Sequence, residues 1–216
     1  MKTIQFVQTF QVPETQRKRE KDTFSRPSGY SYPDHYEILV DLPKVGLTKV
    51  RPILSNDASM FEAFFNGLTP HSIYLRFFSY LKQLSPQMLK RLTQIDYAQE
   101  IALIALLQDE NSEKIIGDAR VIEMPPGNRA EFSILVSDGW QGKGIGACLL
   151  QHCFAIARQR NFIHIHGIVL AENRGMLALG RKLNFTIKRS VDPTEYEFSK
   201  ALSQHEKNIY DSCCRS

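Results

Sequence analysis

Several features that would identify a class of protein at once are scarce in this sequence. It has four cysteines in 216 residues and a net charge of only +4. It has no run of about 18 apolar residues that could span a bilayer. Its first residues, MKTIQFVQTFQVPETQ, become too polar after Phe10 for a secretory signal peptide. These absences predict a cytoplasmic protein that does not bind a membrane.

The four cysteines do not have the spacing of a zinc site or of a disulfide framework. Cys148 and Cys153 fall inside a predicted helix, whereas Cys213 and Cys214 are adjacent near the C-terminus. Reduced thiols are the simplest interpretation. A redox or metal role for the terminal pair is the alternative.

The positive charge is concentrated near the N-terminus. The first thirty residues hold six lysines and arginines against three acidic residues, so the rest of the chain is nearly neutral. Binding to nucleic acid needs many clustered cations that release counterions. We therefore expect no nucleic-acid partner, and we interpret the basic run QRKRE (Gln16 to Glu20) as a solvated tail, with a binding patch as the alternative.

Hydrophobic periodicity divides the chain into three parts. Residues 1–34 show little periodicity and contain several proline and glycine breakers, which predicts an irregular basic segment. Residues 35–203 are predicted to form the ordered domain, and residues 204–216 a tail.

Within the ordered part, amphipathic patterns and caps predict five helices, at Ser55 to Leu68, Pro70 to Tyr80, Pro86 to Gln94, Cys148 to Arg160 and Arg174 to Leu183. Alternating runs predict strands at Tyr36 to Leu42, Leu47 to Ile53, Glu100 to Gln108, Glu113 to Met124, Ala130 to Ser137, Phe162 to Leu170, Phe185 to Arg189 and Glu195 to Ala201. This order predicts an α/β (α+β) fold: a central mixed, mostly antiparallel sheet of about seven strands with helices on both faces.

The stretch DGWQGKGIGA (Asp138 to Ala147) joins a predicted strand to a predicted helix. Such a turn exposes backbone N–H groups at a helix N-terminus, where an anion such as a phosphate binds. The stretch does not match the P-loop pattern. It does match the relaxed dinucleotide pattern G-x-G-x-x-[GA], but an antiparallel meander precedes it where a dinucleotide fold has parallel strands.

The residues Gln141-x-x-Gly144-x-Gly146 match the [QR]-x-x-G-x-[GA] signature of the GNAT superfamily of N-acetyltransferases. The stretch AENRGMLALGRKLNF (Ala171 to Phe185) resembles the second motif of that family, with Asn184 in the place of its turn glycine. The region from Val50 to Leu81 resembles the opening of the acetyltransferase domain in Pat-type bacterial protein lysine acetyltransferases. The resemblance covers about Tyr32 to Leu202.

This resemblance implies the GNAT fold and acetyl-CoA, or another acyl-CoA, as co-substrate. It implies that the pyrophosphate is surrounded by the backbone amides of Gln141, Gly142, Lys143, Gly144, Ile145 and Gly146. It also implies that the preceding strand pairs with the pantetheine arm, for which the sequence suggests Leu135 and Ser137. Asn173 would hydrogen-bond the pantetheine arm or simply cap its helix.

Amine acetylation needs a proton acceptor, because a lysine side chain has a pKa near 10.4 and attacks only when neutral. Glu131 lies ten residues before Gln141 at the start of the strand that leads to the loop, and the resemblance implies a glutamate base at this place. Strand alternation puts Glu131 on one face with Ser133 and Leu135. The alternative is a solvated glutamate at a strand end.

One position departs from the family pattern. Many small-molecule acetyltransferases have a tyrosine seven residues after the Asn that opens the second motif's helix, as general acid for the CoA thiolate, and this sequence has Gly180 there. Some lysine acetyltransferases also lack this tyrosine. The departure therefore favours that subgroup, but it also leaves room for a non-catalytic module.

His164 and His166 lie two residues apart on one predicted strand, as metal ligands could, but no third ligand is evident. We expect no metal and assign the two histidines to polar packing or to the acceptor pocket. The sequence thus predicts an acetyl-CoA-dependent N-acetyltransferase that acts by direct transfer in a ternary complex, with a protein lysine as the leading acceptor. A small-amine acetyltransferase and an acyl-CoA-binding regulatory module are the alternatives.

Overall fold

Eight strands form one sheet in the computed structural model, which describes residues 32–109, 112–125 and 127–203. Contacts divide the chain into two units, Met1–Ser31 and Tyr32–Ser216, and every described residue lies in the second. The predicted basic segment before Tyr32 and the predicted tail with Cys213 and Cys214 lie outside the described residues.

The strands follow the alternating runs of the sequence: β1 (Ile38–Leu42), β2 (Gly46–Pro52), β3 (Glu100–Asp109), β4 (Ser112–Met124), β5 (Arg129–Val136), β6 (His164–Leu170), β7 (Thr186–Arg189) and β8 (Glu195–Ala201). Their order in the sheet is β1-β2-β3-β4-β5-β6-β8-β7. Among the described strands β5 and β6 are the one parallel pair. The predicted mixed, mostly antiparallel sheet is confirmed, with eight strands instead of about seven.

Five helices flank the sheet: α1 (Ala58–Asn66), α2 (Pro70–Phe77), α3 (Pro86–Thr93), α4 (Ile145–Gln159) and α5 (Arg174–Lys182). The predicted caps of α2 and α3 are present. The Thr69 hydroxyl accepts from the Ser72 amide, and the Ser85 hydroxyl accepts from the Met88 amide. Each cap satisfies one of the amides that a helix start leaves without a partner. No helix in the described ranges is long and apolar enough to cross a membrane.

The two faces of the sheet have different chemistry. Helix α4 packs on β3, β4 and β5 through an apolar core that includes Leu149, Cys153, Leu103 and Phe132. The opposite face lies under α1 and α2, where the buried guanidinium of Arg120 lies 5.6 Å from the centre of the Phe61 ring. The predicted placement of helices on both faces is confirmed.

Buried charges are clustered on the face beneath α1 and α2. Arg120 is 1% exposed and donates two hydrogen bonds to Asp118, one to Glu100 and one to the Leu92 carbonyl. Glu100 also accepts from Arg91, whose side chain is partly exposed. Every carboxylate of this cluster is therefore compensated by a guanidinium, as buried charges require.

Candidate active site

The glycine loop has a backbone that only glycine adopts easily. Gly142 has φ of 71° and Gly144 has φ of 101°, both in the left-handed region. A Cβ at either position would meet nothing within 4 Å, so the backbone here is open on its outer side. Helix α4 begins at Ile145, directly after Gly144, and so the loop leads into the positive end of a 15-residue helix.

The loop is anchored to the N-terminus of α2. The Asp138 carboxylate accepts from the Thr69 amide at 2.9 Å, from the Thr69 hydroxyl at 2.8 Å and from the Ser72 hydroxyl at 2.7 Å. The Gln141 side chain donates to the Ser72 hydroxyl at 3.2 Å and to the Val136 carbonyl at 3.1 Å. Burial raises the pKa of Asp138, but the hydrogen bonds from Ser72 and Thr69 outweigh it and lower the pKa overall.

Trp140 and Lys143 lie beside each other in this loop. Trp140 packs against the apolar core. The Lys143 ammonium lies over its ring, 4.4 Å from the centroid, at the distance of a cation–π contact. The contact fixes one positive charge next to the loop.

Strands β5 and β6 separate soon after they meet. They pair only at Arg129 with His164, Ala130 with Ile165 and Glu131 with His166. From Phe132 onward β5 pairs with β4 alone. A gap therefore opens between β5 and β6 immediately beyond Glu131, on the side that leads to the glycine loop.

The register of β5 corrects which backbone groups face this gap. The Ser137 amide donates to the Ile116 carbonyl in β4, and the Ser137 carbonyl accepts from the Trp140 amide, so both groups have partners within the protein. Backbone groups of an antiparallel strand face its neighbour at every second residue, so Leu135 faces β4 as well. The backbone groups that face the gap are those of Ile134 and Val136. The Val136 carbonyl accepts from the Gln141 side chain. The sequence suggested Leu135 and Ser137 instead, one residue further along.

Glu131 lies at the mouth of the gap with a half-buried side chain. Burial raises the pKa of its carboxyl to about 7, and the positive charge of Arg76 opposes the rise. A carboxyl that titrates near neutral pH can accept a proton under physiological conditions and release it again. The structure thus differs from the alternative of a solvated glutamate at a strand end.

Arg76 reaches the same strand from α2. Its side chain is buried, and its Nη2 atom donates to the Ser133 hydroxyl at 2.7 Å. Burial lowers the pKa of Arg76 to about 10. Arg76 is not among the predicted site residues, although a charged residue between the apolar Ile73 and Phe77 of a predicted helix is a signal that could have found it.

His166 is the register partner of Glu131 across the parallel pair. Its Nδ1 atom is buried and has no hydrogen-bond partner among the described residues. Burial lowers the pKa of His166, with Glu197 opposing and Arg129 adding to the effect. The imidazole is therefore neutral at pH 7. The described part of the chain contains no group of three metal-ligating side chains that would include it.

Asn173 and Gly180, two positions of the second motif, each contact a defined neighbour in the structure. The Asn173 side chain caps α5 by accepting from the Met176 amide at 2.9 Å. Gly180 is buried against the ring of Phe198, which occupies the space that a side chain at position 180 would need. A tyrosine therefore does not fit at position 180 without displacement of the core.

Comparison with known proteins identifies the family. The model of the acetyltransferase (GNAT) family matches residues 70–185, which is more than half of the chain. The chain belongs to the GNAT acetyltransferase family. It is an acetyl-CoA-dependent N-acetyltransferase.

Individual relatives agree with this assignment. The acetyltransferase PA5475 of Pseudomonas aeruginosa is 30% identical over 143 residues, which are 66% of this chain and 77% of that protein. The crystal structure of the GNAT domain of S. lividans PAT is 29% identical, with a TM-score of 0.73, and the match covers 80% of this chain and 100% of that one. A GNAT-family acetyltransferase from Streptococcus pneumoniae has a TM-score of 0.59 at 18% identity over 72% of this chain and 99% of its own, and it shows the fold alone.

The loop of this GNAT acetyltransferase suits the co-substrate of its family. The open space over Gly142 and Gly144 and the start of α4 at Ile145 offer room and backbone amides to a pyrophosphate. The gap beyond Glu131 offers an unpaired strand edge to an extended arm. The residues present therefore fit acetyl-CoA, which supplies the acetyl thioester.

Proposed function

We propose that this GNAT acetyltransferase transfers the acetyl group directly to a primary amine in a ternary complex, with a protein lysine as the leading acceptor. The observation that carries the proposal is Glu131, a half-buried carboxyl whose pKa is raised to about 7 at the point where β5 and β6 separate. The family assignment favours this enzyme over a non-catalytic acyl-CoA-binding module.

Two observations support lysine as the acceptor. The chain is similar over the whole length of the GNAT domain of S. lividans PAT, and the sequence resembles Pat-type protein lysine acetyltransferases. The ring of Phe198 fills the space beside Gly180, where many small-molecule acetyltransferases have a tyrosine. A small amine is the alternative acceptor, and the experiment below includes it.

The proposed acetyl-CoA site has three parts. The backbone amides of residues 141–146, the predicted set from Gln141 to Gly146, bind the pyrophosphate at the start of α4. Backbone groups of Ile134 and Val136 pair with the pantetheine arm in the gap, in place of the predicted Leu135 and Ser137. The Asn173 side-chain oxygen fixes the start of α5 by accepting from the Met176 amide. In this proposal the side-chain nitrogen of Asn173 donates a hydrogen bond to the pantetheine arm.

Glu131 moves the proton in this proposal. The Glu131 carboxylate takes one proton from the acceptor ammonium, directly or through one water, and the neutral amine then attacks the acetyl carbon. As the carbon–sulfur bond of the adduct breaks, the nitrogen loses its second proton to water. The thiolate departs as an anion, which is a fair leaving group at neutral pH. No proton donor at position 180 is needed for this step.

The test compares wild type with Glu131→Gln on acetyl-CoA, with lysine peptides and polyamines as acceptors and intact-mass detection of products. Glu131→Gln should lower kcat/KM by about 10²- to 10⁴-fold, the usual contribution of a general base. Calorimetry should show unchanged acetyl-CoA binding.

Glu123→Gln, at the exposed end of β4, is the matched control and should retain full activity. Equal rates in wild type and Glu131→Gln would show that Glu131 is not the base. Acetylation of polyamines but not of lysine peptides would show that the acceptor is a small amine and not a protein lysine.

We also propose that residues 35–203 form the acetyltransferase domain and that the protein acts in the cytoplasm. The matched region 70–185 lies inside this range. A variant that begins at Tyr32 should have the kinetics of the full chain. Altered kinetics with any acceptor would assign a role in catalysis to the segment before Tyr32, and cell fractionation tests the location.

A further inference from the structure

A buried positive charge lies beside the strand that carries the proposed base. Arg76 is 7% exposed and donates to the Ser133 hydroxyl at 2.7 Å. Ser133 is two residues beyond Glu131, so the two side chains share one face of β5 and their Cα atoms lie about 6–7 Å apart. The hydrogen bond therefore holds a guanidinium on the face of β5 that carries Glu131, where its positive charge acts on the Glu131 carboxyl.

The charges of the surrounding face explain what this guanidinium does. The carboxylates of Asp118 and Glu100 are both bonded to Arg120, and Glu100 is bonded to Arg91 as well. Glu131 lies on the same face of the sheet, and its carboxyl is half-buried. The three guanidiniums of Arg76, Arg91 and Arg120 equal in number the carboxylates of Asp118, Glu100 and an ionised Glu131. A buried guanidinium favours that state because its field is weakly screened in the protein interior.

We propose that Arg76 is a positioning residue for acetyl transfer: its guanidinium, held by Ser133, increases the ionised fraction of the Glu131 carboxyl at neutral pH, so that more of it can accept the acceptor's proton. The proton-accepting part rests on the proposed function. The coupling between Arg76 and Glu131 does not, because it can be measured without any reaction.

The other groups that face Glu131 leave Arg76 as the charge that matters most. On β6 its register partner His166 has a pKa lowered by burial and is neutral. On β4 its partner is the apolar Ile122. On β5 itself Arg129 lies two residues before it at an exposed position, where solvent screens its charge. From β4, Arg120 lies opposite Ser133 and is bonded to Asp118 and Glu100.

The sign of the effect follows from these contacts. Burial raises the pKa of Glu131, and the charge of Arg76 lowers it. Removal of that charge should therefore raise the pKa of Glu131 further, so that less of the ionised base is present at pH 7. The acid limb of the pH–rate profile should move to higher pH by the same amount.

The experiment is a ¹³C NMR titration of glutamate side-chain carboxyls in the full-length protein, with the Glu131 signal assigned by its loss in Glu131→Gln. The variants are Arg76→Met and Arg76→Gln, which remove the charge, and Arg76→Lys, which keeps it. We expect the pKa of Glu131 to rise by about one to three units in the neutral variants, the range typical of a nearby opposite charge, and by clearly less in Arg76→Lys. Arg91→Met is the matched control, because Arg91 belongs to the same charge cluster but bonds Glu100, and it should leave the pKa of Glu131 in place.

Each outcome decides the proposal. An unchanged pKa of Glu131 in Arg76→Met and Arg76→Gln overturns it. If neither neutral variant folds, Ser133→Ala decides, since it removes only the hydrogen bond that fixes the guanidinium: a rise in the pKa of Glu131 supports the proposal and no rise overturns it. A raised pKa combined with full activity of Glu131→Gln would leave the coupling intact and defeat the proposed function instead.

Discussion

Gly180 in α5 lies so close to Phe198 in β8 that a Cβ at position 180 would overlap the ring. Phe198 is fully buried and contacts the rings of Phe132 and Phe185, so it has little room to move. Gly180→Ala should therefore lower the free energy of unfolding by about 1–3 kcal/mol, as overpacking of a core does, although alanine favours a helix by about 1 kcal/mol over glycine. Denaturant unfolding measures the change.

Gly175 in the same helix is the control for this prediction. A Cβ there would meet only the Asn173 side-chain oxygen at 3.8 Å, an ordinary contact distance. Gly175→Ala should leave the stability unchanged or raise it slightly. Equal losses in Gly180→Ala and Gly175→Ala would show that Phe198 moves aside without cost.

The pH dependence of the reaction should report Glu131. Because the base must be ionised to accept a proton, kcat/KM for a lysine peptide should rise with pH through a midpoint of about 7 and fall as pH decreases below it. In Glu131→Gln this acid limb should vanish, while the contribution of the acceptor amine at higher pH stays. A limb with the same midpoint in Glu131→Gln would have to belong to another group.

Asp138 should control the affinity for acetyl-CoA. Its carboxylate accepts three hydrogen bonds from Thr69 and Ser72 and so fixes the start of the glycine loop. Asp138→Ala should raise the acetyl-CoA Kd about tenfold, because a loose loop has to be ordered on binding. Because the pKa of Asp138 is lowered, its stabilising effect is present above the ordinary Asp value and is lost as pH falls through the lowered pKa.

Asp192 offers a matched control for Asp138, since it also accepts from the amide and the hydroxyl of a threonine, Thr194. That turn joins β7 to β8 and does not belong to the loop. Calorimetry with Asp192→Ala should give the Kd of wild type. A similar weakening in both variants would mean that Asp138 acts on the overall stability and not on the loop.

Removal of Arg120 should cost far more stability than removal of Arg91. Arg120→Met leaves the buried carboxylates of Asp118 and Glu100 without their main partner, and the expected loss is about 3–5 kcal/mol. The side chain of Arg91 is 40% exposed, so Arg91→Met should cost about 0–1 kcal/mol. Chemical denaturation of both variants distinguishes these values, and comparable losses would contradict the buried cluster as described.

The elements could be predicted from the sequence because alternation and caps are local signals. The last strand, Glu195–Ala201, has the bounds expected from its alternating run. The differences have local causes that the pattern does not contain. Helix α2 ends at Phe77 and not at Tyr80, because Phe78 adopts a left-handed backbone with φ of 55°. Helix α4 begins three residues before the predicted Cys148, because Gly144 turns the chain directly into it.

The site could be predicted only where it depends on one segment. Alternation along β5 was enough to place Glu131 on a face with Ser133. The choice between Val136 and Ser137 depends on the register with β4, which is a pairing between distant segments. Arg76 and Asp138 have partners more than fifty residues away in the chain, and no local pattern contains such contacts.

Helix α2 holds both halves of the site from one side. Ser72 and Arg76 are one turn apart on it; Ser72 bonds the loop through Asp138 and Gln141, and Arg76 bonds β5 through Ser133. An engineer who grafts this helix from a relative to alter acceptor preference would therefore change the cofactor loop and the environment of Glu131 at the same time. A chimera that keeps its catalytic rate has to exchange α2 together with its partners on the loop and on β5.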